Sequence, residues 1–265
     1  AVRLGGDAAG ALSLLQGGVR DAEAACHLAL RGHAARLRGS EAGQRLIEVA
    51  DNGTGIPTKE LHLAVERHAT SKLTQAADLF HISTLGFRGE ALASIGSVSR
   101  MTLFSRHASD PVGARLEVEG GRISEVTAVG VPTGTVVQVQ DLFYNVPARL
   151  KFLKHDTTER HQIDQLVTRY ALAYPQVRFN LQQEGKPALR TSGNGDRREV
   201  LATLYGAEVA RQMLQVISEE EQIQVAGFIS PTSLTRSNRR EIHFFVNGRP
   251  VQDATLVAAL LKAYH

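Results

Sequence analysis

The chain has 265 residues, 43% hydrophobic and 22% charged, which is normal for a soluble globular protein and enough for one large domain or two ordinary ones. Its formal net charge of +3 permits nucleic-acid binding without requiring it. A single cysteine, Cys26, excludes an internal disulfide framework and fits a reducing compartment. The sequence shows neither a run of about 18 apolar residues nor a signal-peptide pattern, which indicates no membrane partner and no export. We therefore expect a cytoplasmic protein, associated with the nucleoid if the source is bacterial.

Residues 1–45 carry the least regular pattern of the chain. They are rich in Ala, Gly, Leu and Arg, and residues 21–37 predict a helix with a loose apolar period. Residues 46–50 predict a strand, and residues 57–60 predict the start of a helix with Leu61, Val65 and His68 on one face. Residues 70–90 have few periodic apolar positions, so we expect a long loop of the kind that often acts as a lid.

A helix and then alternating strands are predicted next. Residues 91–98 are apolar and helical in pattern, whereas residues 101–105, 114–119 and 134–140 alternate between apolar and polar side chains and predict strands. The pair Gly120 and Gly121 lies between the second and third of these strands and indicates a turn. An antiparallel meander is therefore expected.

The remaining patterns divide the chain into two predicted domains. Pro147 suits the first turn of a helix, residues 159–174 predict an amphipathic helix, and residues 177–181 predict a strand. The polar stretch at 191–196 is the best linker candidate, which gives domains of 1–192 and 193–265. In the second domain we expect helices at 198–205 and 254–264, strands at 222–229 and 242–246, and a basic loop at 236–240.

A carboxylate and two glycines follow the predicted strand at 46–50. Asp51 can accept a hydrogen bond from an exocyclic amine such as that of adenine. Gly53 and Gly55 lack a Cβ, so they can adopt positive φ and leave room for a flat ring close to the backbone. A second glycine stretch at 86–89 precedes a helical run, and the free N–H groups of a helix start can bind phosphate. The combination indicates a nucleotide site.

Several further motifs accompany Asp-x-Gly-x-Gly in order and at compact spacing. They are Arg-His-Ala-Thr-Ser-Lys at 67–72, Phe-Arg-Gly-Glu-Ala-Leu at 87–92, Gly-Thr at 134–135, Leu-Phe-Tyr-Asn-Val-Pro-Ala-Arg at 142–149 and Phe-Val-Asn-Gly-Arg at 245–249. Together these motifs closely resemble the MutL family of DNA mismatch-repair ATPases. That family belongs to the GHKL superfamily, with type II topoisomerase ATPase subunits, a heat-shock chaperone and sensor histidine kinases. The resemblance covers residues 46–265.

The resemblance implies an α+β fold: an ATP-binding α/β sandwich of the GHKL type, followed by a ribosomal-protein-like βαβ transducer domain that is truncated at its C-terminus. It assigns the adenine amino group to Asp51, and Gly53, Gly55 and Thr135 complete the base pocket. A lid would line the phosphates of ATP with Mg²⁺ bound. The residues implied for the lid are Thr70, Ser71, Lys72, Gly86, Phe87, Arg88, Gly89, Glu90, Ala91 and Leu92.

The resemblance also implies partners. In the family, ATP orders the lid, two N-terminal modules form a homodimer, and a basic groove grips the DNA backbone without reading its sequence. The module couples a mismatch-recognition protein to downstream repair enzymes. The arginines implied for DNA contact are Arg236, Arg239, Arg240 and Arg249, which can equally form a solvated basic face.

The first family motif is missing from its expected place. A Glu that activates water and, four residues later, an Asn that holds Mg²⁺ would fall at Ala22 and Cys26, and residues 1–51 contain no Asn. Glu23 is one position away, which turns a side chain about 100° around a helix. Either the protein binds nucleotide without hydrolysing it well, or residues 1–45 are the product of a shifted reading frame. Two functions remain open: an ATPase switch, and a nucleotide- and DNA-binding scaffold without significant turnover.

Overall fold

The computed structural model describes residues 33–67, 90–220, 223–236 and 239–264. In chain order its strands are β1 Ala34–Ser40, β2 Leu46–Asp51, β3 Arg100–Arg106, β4 Gly113–Glu119, β5 Arg122–Ile123, β6 Thr127–Val129, β7 Gly134–Gln140, β8 Arg178–Gln183, β9 Lys186–Arg190, β10 Leu214–Glu220, β11 Ile223–Ile229, β12 Phe244–Val246 and β13 Arg249–Val251. The helices are α1 Ala91–Ser97, α2 Pro147–Leu150, α3 Asp156–Ala173, α4 Arg197–Tyr205, α5 Ala207–Gln212 and α6 Ala254–Lys262. The α+β fold class is confirmed.

Nine of the described strands form one mixed sheet in the order β5-β4-β3-β7-β2-β1-β8-β9, with β6 on β4. The strand predicted at 46–50 and those predicted from alternation at 101–105, 114–119 and 134–140 are confirmed. The meander is wrong in one respect: β7 pairs with β3 and β2, and β4 pairs with the other edge of β3. This order places the ends of β2, β7 and β3 next to one another.

The helix expected at 21–37 is wrong for its described residues, because strand β1 begins at Ala34. Residues 21–32 lie outside the described part of the chain. Strand β1 pairs antiparallel with β2 and parallel with β8. Ala35 and Leu37 are buried, while Arg36 and Arg38 are exposed, which is the period of a half-buried strand. Ala, Leu and Arg favour helices intrinsically, but pairing on both sides overrides that preference here.

Residues 58–65 form two short 3-10 helices, Thr58–Glu60 and Leu63–Val65, in place of the α-helix expected from Pro57 onward. Leu61 and Val65 are nevertheless buried, as their predicted shared face required. His68 lies outside the described residues.

The core lies between the sheet and its helices. Helix α3 begins at Asp156 and ends at Ala173, three residues earlier at its start than expected. Its predicted apolar face is buried: Ile163, Leu166, Val167, Tyr170 and Ala171 all belong to the core, together with Leu92 and Ile95 of α1. Pro147 is the first residue of α2, as predicted.

The region beyond the expected linker contains α4, α5, two hairpins and α6. Hairpin β10–β11 and hairpin β12–β13 are each antiparallel. Val200, Leu201 and Ala210 of α4 and α5 belong to the same core as the large sheet. The division into 1–192 and 193–265 stays a prediction. In the part of the chain that the structure describes, no helix is long and apolar enough to cross a membrane.

Candidate functional site

Three polar residues lie side by side at one end of the sheet. Asp51, the last residue of β2, is the register partner of Thr135 on β7, and Thr135 is the register partner of Ser105 on β3. Residues directly opposite in antiparallel strands project to the same face. The strand order therefore brings the side chains of Asp51, Thr135 and Ser105 together, although they are far apart in sequence.

A turn fixes the direction of the Asp51 carboxylate. Its Oδ1 accepts a hydrogen bond of 2.8 Å from the backbone N–H of Gly53. This is the local geometry by which an aspartate closes a turn on itself. The predicted residues Asp51 and Gly53 are thus joined directly, and the carboxylate is half-buried at the strand end.

Glycine is required at two positions beside this turn. Gly55 has a φ of +74°, and a Cβ there would lie 2.0 Å from the carbonyl oxygen of Arg106. Gly134 has a φ of +125°, and a Cβ there would lie 2.2 Å from the carbonyl oxygen of Asp51. Both contacts are too short for any side chain, so the backbones of β2, β3 and β7 converge here as closely as glycine permits.

Ser105 was missed by the sequence interpretation, although it links the turn after β2 to strand β7. Its Oγ accepts from the N–H of Ile56 at 2.8 Å, donates to the carbonyl of Gly134 at 3.0 Å, and lies 3.0 Å from Thr135 Oγ1. Ser105 is 1% exposed and Thr135 6% exposed. The only trace of this in the sequence is a serine at an inward position of an otherwise apolar strand face.

Asp110 was missed as well, and it anchors the far end of the turn. Its Oδ2 accepts from both the N–H (2.9 Å) and the Oγ1 (3.0 Å) of Thr58. The backbone hydrogen bond from Thr58, followed by its hydroxyl, lowers the pKa of the Asp110 carboxyl. The N–H of Ala108 also donates to the carbonyl of Thr54 at 3.0 Å. Residues 54–58 are thereby held against the loop after β3.

The residues expected at the phosphates are only partly described. Thr70, Ser71, Lys72 and residues 86–89 lie outside the described part of the chain. Glu90 precedes the first turn of α1, and Ala91 and Leu92 begin that helix, with Leu92 packed in the core. The helical start predicted after the second glycine stretch is therefore present, and the phosphate contacts stay a prediction.

The four arginines expected at DNA occupy two different environments. Arg236, Arg239 and Arg240 are exposed around the loop before β12, whose residues 237 and 238 are not described. Arg249 is half-buried on β13. It lies near Tyr174, whose pKa is raised by burial and lowered to a smaller degree by the Arg249 charge. Among the described residues, no group of three His, Cys, Asp or Glu side chains is placed to hold a metal ion.

Comparison with solved structures defines the class of the protein. The ATPase domain of the Aquifex aeolicus MutL mismatch repair endonuclease superposes with a TM-score of 0.68 at 31% identity, over 94% of this chain and 85% of that one. The Aquifex aeolicus MutL ATPase domain complexed with ADP gives a TM-score of 0.65 at 29% identity, over 98% of this chain and 88% of that one. The fold is thus that of a GHKL-type ATPase domain.

Sequence relatives give the same result. The MutL protein of Lactococcus lactis subsp. cremoris (strain SK11) is 44% identical over 224 residues, which is 84% of this chain. The MutL protein of Shouchella clausii (strain KSM-K16) is 44% identical over 225 residues, 85% of this chain. Residues 201–265 match the family model described as the C-terminal domain of DNA mismatch repair protein. The chain belongs to the MutL family of DNA mismatch repair proteins. It spans 34% of the length of the curated relatives it matches.

Proposed function

We propose that this chain is the N-terminal ATPase module of a MutL-type mismatch repair protein and that it binds ATP beside Asp51. The observation that carries the proposal is the row of Asp51, Thr135 and Ser105 at the end of three adjacent strands, next to Gly55 and Gly134. A half-buried carboxylate accepts from the adenine amine, and glycine backbone leaves room for the ring. The related Aquifex aeolicus domain was solved as a complex with ADP, which supports the proposal.

The phosphates are proposed to lie at the start of α1, beneath a lid formed by residues 70–92. The first N–H groups of a helix have no partner within the helix, and they favour negative charge. A loop that closes over the γ-phosphate gives the protein two states with different affinities for ATP and ADP. We propose that lid closure promotes homodimerisation and that the dimer grips DNA through backbone phosphates, which couples mismatch recognition to later repair enzymes.

Among the described residues, no group of three or more His, Cys, Asp or Glu side chains is placed to hold Mg²⁺ by itself. Mg²⁺ commonly keeps several waters and is bound through one or two protein oxygens together with substrate phosphates. The proposed Mg²⁺ would enter with ATP and shield the phosphate charge. The sequence places Ala22 and Cys26 where the family has its water-activating Glu and its metal-binding Asn.

That departure favours a second candidate function, a nucleotide- and DNA-binding scaffold without significant ATP turnover. A thiol is a poor ligand for a hard cation such as Mg²⁺. The two candidate functions both require nucleotide binding, and they differ in whether ATP is hydrolysed at a significant rate. Mass spectrometry of peptides from residues 1–45 tests whether these residues exist as written, and it separates a shifted reading frame from a genuine loss of the motif.

Nucleotide binding is tested by isothermal titration of ATP and ADP into the wild-type chain and Asp51→Asn. The amide oxygen of the variant stays with the Gly53 N–H, so its NH2 group, a donor, faces the adenine amine, and we expect at least about a tenfold loss of affinity. Asp156→Asn, a half-buried aspartate at the start of α3, is the matched control and should retain wild-type affinity. Equal affinity of wild type and Asp51→Asn would refute the proposed base pocket. Steady-state phosphate release measured on the same samples distinguishes the switch from the scaffold.

A further inference from the structure

The Ser105 hydroxyl has more neighbours than its single hydrogen can serve. The backbone N–H of Ile56 occupies one lone pair of Oγ, since an amide can only donate there. The carbonyl of Gly134 can only accept, so the Ser105 hydrogen is directed to it. One contact remains, at 3.0 Å to Thr135 Oγ1, and in this arrangement Thr135 must be its donor. This assignment satisfies every donor and acceptor of the buried Ser105 hydroxyl.

This assignment determines how the Thr135 hydroxyl can bond to a ligand. Its hydrogen is committed to Ser105, so Oγ1 keeps acceptor capacity towards a ligand. Thr135 stands directly opposite Asp51 on the same face of the sheet, and the Asp51 carboxylate is also an acceptor. The end of the sheet therefore presents two acceptors side by side, and it is suited to a group that offers two hydrogens.

We infer that Ser105 is a specificity-determining positioning residue, which holds the Thr135 hydroxyl as an acceptor so that the site selects a 6-aminopurine over a 6-oxopurine. This inference rests on the proposed nucleotide site beside Asp51. The exocyclic amine of adenine carries two hydrogens and can donate to both acceptors. The 6-oxo group of hypoxanthine or guanine is itself an acceptor, so in the place of the amine it would face two acceptors, and the neighbouring N1–H supplies one hydrogen where the amine supplies two.

Removing the serine hydroxyl should free the threonine. In Ser105→Ala the Thr135 hydrogen has no partner at position 105 and can turn towards a ligand oxygen. A 6-oxopurine then gains a hydrogen bond that wild type denies it, while a 6-aminopurine keeps its bond to Asp51. The ratio of the two affinities should therefore fall through a rise in the affinity for the 6-oxopurine, whereas displacement of the turn that carries Asp51 would lower the affinity for the 6-aminopurine without that rise.

The test uses ADP and IDP, which differ at position 6 of the purine, amino against oxo. Isothermal titration of the full chain should show that wild type prefers ADP. In Ser105→Ala we expect the ADP-to-IDP affinity ratio to fall about tenfold, the effect of one hydrogen bond made or lost at a desolvated site. Thr135→Val removes the hydroxyl acceptor with little change of shape and should lower the ADP-to-IDP affinity ratio as well. It provides an independent readout if Ser105→Ala does not fold.

Two controls define the outcome. In a Thr135→Val background, Ser105→Ala should leave the ratio unchanged, because the two residues act through one hydroxyl. Ser99→Ala removes another buried serine hydroxyl, which donates to the carbonyl of Ile95 at 2.7 Å, and should keep the wild-type ratio. A wild-type ratio in both Ser105→Ala and Thr135→Val, with ADP still bound, overturns this inference and leaves the nucleotide site intact. A wild-type chain that binds neither nucleotide refutes both.

Discussion

Gly55 lies directly against the backbone of Arg106, so that a Cβ on the glycine would be 2.0 Å from the arginine carbonyl oxygen. This contact joins the turn after β2 to the end of β3. Together with the hydrogen bond from Ile56 N–H to Ser105 Oγ, it sets how deeply the turn enters the sheet edge. The position of the Asp51 carboxylate therefore depends on a close backbone approach that only glycine allows.

Gly55→Ala is predicted to destabilise the folded chain more than the strain of an alanine at positive φ alone would. Gly185 provides the matched control, because its φ is +73° against +74° for Gly55 but no atom lies within 4 Å of its Cβ position. Backbone overlap should make Gly55→Ala less stable than Gly185→Ala by about 1–3 kcal/mol. Urea unfolding measures the difference, and titration with ADP should show weaker binding for Gly55→Ala alone. Equal stability of the two variants would contradict the structure.

The Asp110 carboxylate is predicted to make part of the fold sensitive to acid. Its pKa in the folded chain lies below the ordinary value of 3.8, chiefly because the N–H of Thr58 donates to it. A lowered folded pKa favours the charged form, so this stabilisation is present above about pH 4 and is lost as the pH falls through the folded pKa. Asp110→Asn should therefore lose less of its stability than wild type between about pH 5 and pH 3. Urea midpoints at both pH values test this.

Thr58→Val provides the companion variant to Asp110→Asn. It removes the hydroxyl donor and keeps the backbone N–H, which is the larger cause of the lowered pKa. Its acid sensitivity should therefore lie between that of wild type and that of Asp110→Asn. An identical loss of stability in wild type and Asp110→Asn would show that the carboxylate does not anchor the turn.

The sequence predicted which residues form strands better than it predicted which strands pair with each other. Alternation along residues 101–105 and 134–140 is a local property, so strands β3 and β7 followed from it. The pairing of β7 with β3 and β2 is a long-range property, and no local pattern distinguishes it from a meander. This is also why Ser105 was missed. Its hydroxyl contacts Thr135 and Ile56, which become its neighbours only through that strand order.

Strand β1 shows the opposite error, in which a local preference for helix is overridden by strand pairing. Ala35 and Leu37 were assigned to a helix because the stretch is rich in residues that favour helices. They are buried in a strand because β2 and β8 pair with both of its edges. The Asp51 end of the site was predicted correctly as a strand followed by a turn, since an apolar run that ends in Asp-x-Gly-x-Gly is a local pattern.

His243, which immediately precedes β12, is predicted to weaken its contact with Tyr205 of α4 in mild acid. Burial lowers its pKa from 6.5, and the charge of Arg169 adds to this, while Glu241 opposes it. Its Nε2 lies 3.4 Å from the hydroxyl of Tyr205. The unfolded chain binds this proton first as the pH falls, so stability should decline from about pH 7 downward, until the pH passes the folded pKa.

His243→Gln tests this effect, and a variant of one exposed histidine serves as the control. Glutamine keeps a polar side chain but does not titrate, so the variant should lose less stability than wild type between about pH 7.5 and pH 5.5. His161→Gln is the control, because His161 is exposed on α3. Thermal unfolding at the two pH values measures both. A wild-type pH dependence in His243→Gln would show that this histidine does not titrate between them.

The loop before β12 is predicted to contact DNA phosphates through Arg236, Arg239 and Arg240, all of them exposed. Phosphate contacts release counterions, so the affinity for duplex DNA should fall steeply with salt and should not depend on base sequence. Changing all three arginines to alanine should reduce the slope of log affinity against log salt by about one unit per lost contact. Arg211→Ala is the control, since Arg211 is exposed on α5 and paired with Glu208 at 3.6 Å. Fluorescence anisotropy with a labelled duplex at several salt concentrations measures the slope. An unchanged slope in the triple variant would show that these arginines form only a solvated basic face.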